Sequence, residues 1–163
     1  MANSKDTRNI HMNAAAVSAD ALRSALVSTV LEWERRYGVA PSITSALSEY
    51  DAACLVGHTP ESFSKDCAGR TAVTRGSDFC HAQLRYQVKA CRPSGRPGSF
   101  VTWVPKATTF DWDRLIWLLY DREYRVLEAW EWEVETYRAA FEETKRLSPQ
   151  LMRQGRALHE RKR

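Results

Sequence analysis

No run of apolar residues in the chain approaches the roughly 20 needed to cross a bilayer, so a helical membrane span is not expected. The first residues, Ala2 to Asn9, are polar and lack the apolar stretch of a secretory signal, and the expected compartment is the cytoplasm. Cys54, Cys67, Cys80 and Cys91 form no C-x-x-C pair, which argues against a zinc knuckle and for free thiols in a reducing environment. A Walker-type glycine loop and a dinucleotide fingerprint are both missing. Ser77 has no neighbouring His/Asp pattern, which argues against a serine hydrolase.

The 163 residues, 44% hydrophobic and 27% charged, suit one soluble domain able to bury a core without disulfides. A flexible leader over 1–17, a domain over 18–158 and a basic tail over 159–163 are expected. The net charge of +4 is unevenly spread. Residues 61–110 carry eight Lys/Arg against three acids, residues 111–144 four against ten, and residues 145–163 seven against one. A basic middle and a basic end suit a polyanion such as nucleic acid, and equally a merely soluble surface.

Ser18 reads as the N-cap of a helix over about 20–37, with Leu22, Leu26, Val30 and Trp33 at helical spacing and Gly38 as its stop. A second helix is predicted over about 43–56, ended by Gly57, with Glu49 off its apolar face. His58 to Arg70 reads as polar loop. Strands are predicted near 71–75, 79–82 and 84–91, then a Pro/Gly-rich turn over Arg92 to Ser99 and a further strand over Phe100 to Val104. Leu115 to Tyr120 is a continuous apolar run, as in a strand buried on both faces, and Asp121-Arg122-Glu123 turns it into a partner over Tyr124 to Trp130. Helices are predicted over 133–147 and 149–158. The order gives an α/β domain, a mixed sheet flanked by helices. Trp112, Trp117, Trp130 and Trp132 fall among the buried strands, where core packing is the expected role.

The segment richest in chemistry is Gly76-Ser77-Asp78 followed by Tyr86-Gln87-Val88-Lys89. Gln87 and Lys89, two apart on a strand, share a face while Val88 points to the core. Magnesium takes oxygen ligands and needs only one or two protein carboxylates. Asp78, the Gln87 side-chain carbonyl and the Val88 main-chain carbonyl are candidate ligands. Lys89 is placed to hold water or to stabilise charge on a phosphate. The same spacing also fits an exposed strand face with a solvated lysine. His58 and His81 are not needed by a metal-based scheme.

With the Ser48-Glu49-Tyr50 segment upstream and Arg92 and Arg96 just beyond Lys89, this pattern resembles the PD-(D/E)XK nuclease superfamily, whose fold is restriction-endonuclease-like. The resemblance covers about residues 42–135. It implies a metal-binding Asp78, Gln87 in the place of a residue that is usually acidic, a catalytic Lys89, and Glu49 as a helical acid directed at the metal, with Asp51 a less favoured substitute. It further implies Mg²⁺-dependent cleavage of double-stranded DNA, with Mn²⁺ able to substitute, in a restriction or anti-phage role. Arg75, Arg92, Arg96 and Lys106 would then contact phosphates. Double-strand cutting by a small single-site enzyme favours a homodimer, formed through the long first helix or the acidic segment 111–144. The alternatives are an inactive DNA-binding module with the same fold and an interaction subunit of a larger defence complex.

Overall fold

The computed structural model describes residues 17–68 and 76–160. The expected strand near 71–75, Arg75, most of the leader and the last three residues of the tail lie outside them.

The first helix, α1 (Ala19–Tyr37), begins and ends where its sequence signals stand. The Ser18 hydroxyl accepts the Ala21 N–H, and Gly38 closes the helix at φ 78°, a left-handed conformation that glycine adopts without a Cβ penalty. Helix α2 (Thr44–Leu55) follows. The segment read as polar loop contains a third helix, α3 (Pro60–Ala68). Its start is a reciprocal cap: Thr59 Oγ1 accepts from the Ser62 N–H, and Ser62 Oγ from the Thr59 N–H.

Among the described residues five strands form one sheet in sequential order: β1 (Phe79–His81), β2 (Leu84–Cys91), β3 (Arg114–Tyr120), β4 (Val126–Glu133) and β5 (Arg156–His159). Only β2 and β3 run parallel, with Lys89 opposite Trp117; the other pairs are antiparallel. The sheet is therefore mixed, as expected. The parallel connection, residues 92–113, contains no helix and crosses the sheet as an irregular strap. The expected strand over Phe100 to Val104 is reduced to a single bridge, Val104 to Leu147. Helix α4 (Val134–Phe141) is shorter than expected. Within the predicted last helix, only α5 (Pro149–Met152) is helical, and its second half forms β5.

Each face of the sheet has its own core. Ile116, Leu118 and Val88 pack with Val27, Val30, Leu47 and Ala52 of α1 and α2. Leu115, Trp117 and Trp132 pack with Tyr137 and Phe141 of α4 and with Val104, Ala107 and Trp112 of the strap. Helices thus cover both faces, and β3, covered on each side, reads as an unbroken apolar run. Trp112 and Trp117 are fully buried and Trp132 nearly so, as the core role required. Among the described residues no helix is long and apolar enough to cross a membrane.

The uneven charge along the chain is partly matched across the fold. Arg85 pairs with Asp113, Arg114 with Glu133, Arg153 with Glu128 and Arg156 with Glu131. The acidic segment 111–144 thus takes up cations from the basic middle and the basic end.

Candidate active site

A two-residue turn, Ala82 and Gln83, both with positive φ, joins β1 to β2. Two left-handed residues in a row give the turn whose twist matches a hairpin. Phe79 then stands opposite Tyr86, and Asp78 falls next to Gln87 just beyond the end of β1. The Asp78 N–H donates to Tyr86 O at 2.7 Å. With no further β1 residue to pair with, the Val88 N–H is met by a side chain instead: it donates to Asp78 Oδ2 at 2.6 Å. Gln87 Nε2 donates to the same carboxylate oxygen and lies 3.4 Å from Val88 O. Asp78, the Gln87 amide and the Val88 main chain therefore meet, with the two nitrogens rather than the two carbonyl oxygens turned to the carboxylate. Gly76, at φ 100°, begins this turn, and a Cβ there would come within 3.1 Å of the Asp111 side chain. Asp111 thus places a second acid against the Gly-Ser-Asp turn, a neighbour that the sequence did not signal because the strap brings it from 33 positions away.

Gln87 and Lys89 lie on the face that Trp117 shares, and Val88 on the opposite face, 7% exposed. Lys89 is half-buried, and among the described residues no side chain or carbonyl bonds its ammonium. Two residues on, burial raises the Cys91 thiol pKa to about 11. Such a thiol is poorly nucleophilic.

Among the described residues no three His, Cys, Asp or Glu side chains gather in a way that could hold a metal ion. The donors that do converge are a carboxylate, an amide and a main-chain carbonyl. These hard oxygens fit Mg²⁺ or Mn²⁺ if water and substrate phosphate complete the shell. In the arrangement seen, the Gln87 amide presents its NH₂ to Asp78. Turned about its last torsion it presents oxygen instead.

The other expected site residues are placed differently. Glu49 is half-buried on α2 and accepts a bond from Ser45 Oγ at 3.3 Å. Helix α2 packs on the face of Val88, opposite the one that carries Gln87 and Lys89. Asp51 is committed elsewhere: both its oxygens accept from Arg23 at 2.6 Å, and Tyr120 Oη donates at 2.7 Å. Burial raises the Tyr120 pKa, reinforced by the Asp51 charge.

Arg92 is not available to a phosphate. Its side chain is 7% exposed, paired with Glu34 at 2.7 Å, bonded to Arg122 O, and stacked 4.3 Å from the Tyr124 ring centroid. The guanidinium beside Glu34 lowers that carboxyl pKa. Lys106 is likewise spent, donating to Glu142 O and Thr144 O near the end of α4. Both corrections have one cause: a cation and its partner meet across 30 to 60 positions, beyond the reach of any local pattern. Arg96 is exposed. His58 is buried, with one ring nitrogen 2.6 Å from Ser62 Oγ and the other 2.7 Å from Cys80 O, a staple between α3 and β1.

No protein-family model and no curated protein matches the chain.

Proposed function

We propose that the chain is a Mg²⁺-dependent endonuclease hydrolysing DNA phosphodiester bonds. The observation that carries this reading is the meeting of Asp78, the Gln87 amide and the Val88 main chain beside Lys89, an ammonium that no described group engages. Asp78, Gln87 and Val88 O are the groups to hold the cation, which when bound would polarise the phosphate and acidify a water. Lys89 supplies positive charge where negative charge grows on the phosphate. Its half-buried position on a strand, rather than on a loop, fixes the direction of that charge. Glu49 enters only by reaching past the edge of the sheet. A restriction or anti-phage role goes with this reading.

The test is a plasmid incubated with protein and Mg²⁺, with EDTA and Lys89→Ala as controls. Because the Lys89 ammonium bonds nothing described, the alanine variant is expected to fold normally and to cut about 100-fold more slowly. Wild-type cleavage that survives EDTA or Lys89→Ala overturns the assignment.

One observation favours a second reading, an inactive DNA-binding module or interaction subunit. The Gln87 NH₂ and the Val88 N–H both donate to Asp78 Oδ2, the oxygen a cation would need. A salt-sensitive gel shift without cutting supports the module; a co-purifying partner without nucleic-acid affinity supports the subunit.

The homodimer belongs to the same proposal and rests on α1. Leu22, Leu26, Trp33 and Tyr37 form one stripe, 40% to 64% exposed. Asp20 lies in the first turn, while Arg35 and Arg36 in the last are both paired with Glu32, so the apolar stripe rather than charge carries the contact. The segment 111–144 is less suited, since most of its strand residues fill the core. Trp33→Asp is expected to convert a dimer to a monomer in sedimentation velocity; a wild type monomeric at micromolar concentration removes this part of the proposal.

A further inference from the structure

The strap over residues 92–113 turns most of its apolar side chains inward: Val101, Val104, Ala107, Phe110 and Trp112 join the core. Phe100 and Trp103 break that pattern. They are 76% and 63% exposed, although the next residue after each, Val101 and Val104, turns inward. They line a shallow trough of about 370 Å³ together with Cys91, Ser94, Ser99 and Thr102.

This trough continues in both directions. At one end it shares Thr44, Arg92, Pro93 and Ser94 with a second depression that reaches Arg96. At the other end, Trp103 also lines a third, bordered by Lys106, Lys145 and Arg146. Among the described residues, the only acid lining the three is Glu34, already paired with Arg92. Arg96, Lys145 and Arg146 are exposed and have no carboxylate partner among the described residues. Two open aromatic faces are thus set between unpaired cations along one continuous path.

We propose that this path binds single-stranded nucleic acid, with unpaired bases stacked on Phe100 and Trp103 and the phosphate backbone held by Arg96, Lys145 and Arg146. An aromatic face accepts any base, and cations along a groove track the backbone without reading sequence. A duplex keeps its bases stacked on one another and offers nothing to Phe100 or Trp103. Cys91 lines the path and stands two residues from Lys89 on the same strand face, so a strand lying here runs toward the candidate active site. The choice of DNA over RNA, and a substrate with an unpaired stretch next to the cut, rest on the nuclease reading; binding by the trough does not.

The experiment measures affinity of the full chain for a labelled oligothymidylate of about 12 nucleotides and for its duplex, by anisotropy in EDTA so that no cleavage intervenes. Single strand is expected to bind at least tenfold tighter than duplex. Trp103→Ala should weaken the single-strand complex about tenfold and leave duplex binding unchanged, while Lys145→Gln with Arg146→Gln should flatten its salt dependence. Thermal melting of each variant separates loss of binding from loss of fold. Equal affinity for both forms, or single-strand binding indifferent to Trp103→Ala in a folded variant, overturns the inference. Because EDTA silences any metal-dependent cutting, a failed plasmid assay and a failed trough remain separate results.

Discussion

Asp51→Ala is expected to destabilise the fold by about 4 kcal/mol, because it leaves a largely buried arginine without its counter-charge. Asp51 is 9% exposed and stands where three elements meet. Arg23 of α1 forks onto both of its oxygens, and Tyr120 at the end of β3 donates to one of them. Arg23 Nη2 also reaches Tyr124 O at 2.9 Å, tying in the turn before β4. Loss of the carboxylate strands the guanidinium and the fully buried Tyr120 hydroxyl together. Tyr120→Phe removes only one bond and leaves Asp51 paired with Arg23, so about 1 kcal/mol is expected. Thermal unfolding followed by circular dichroism reads both; for a chain of this length the alanine variant should melt about 10 °C lower. A midpoint within the scatter of the wild type would show that the triad contributes nothing.

Gly155→Ala is expected to cost about 3 kcal/mol, by overpacking rather than by loss of a contact. A Cβ at Gly155 would lie 2.4 Å from Trp132 Nε1 and 2.6 Å from Glu131 O. Neither can yield cheaply. Trp132 is 6% exposed and its indole N–H donates to Met152 O at 3.0 Å, while Glu131 O belongs to the backbone of β4. Relief requires β5 to lift away from β4 or the indole to leave the core. Gly98→Ala is the control: φ is 78° there but nothing lies within 4 Å, so only the conformational penalty of about 1 kcal/mol applies. Melting midpoint and tryptophan emission should both shift for Gly155→Ala and barely for Gly98→Ala. Equal shifts would show that close packing against Trp132 is not what requires glycine.

The elements legible in the sequence are those whose signal is local. Ser18 and Gly38 bound α1 within a residue, and the run Leu115 to Tyr120 marks β3 because both of its faces are covered. Helix α3 was missed because it buries no residue fully, so no apolar period marks it; Thr59-Pro60, a cap followed by a proline suited to the first turn, was the available clue. The predicted start of β4 at Tyr124 came two residues early, since Tyr124 has φ 59° and still belongs to the turn. Strand β5 has four residues, mostly exposed, and looks like the continuation of a helix. The meeting of Asp78 with Gln87 was legible because a hairpin fixes register by counting. The fates of Arg92, Lys106 and Asp51 were not, because their partners are chosen by tertiary packing alone.

Among the described residues the sheet ends in strands of three and four residues, β1 and β5, and His159 and Arg156 sit on β5. Such stubs offer too few free amides and carbonyls to template another chain. Crowded copies of this protein therefore gain little by zipping together through these two outer strands.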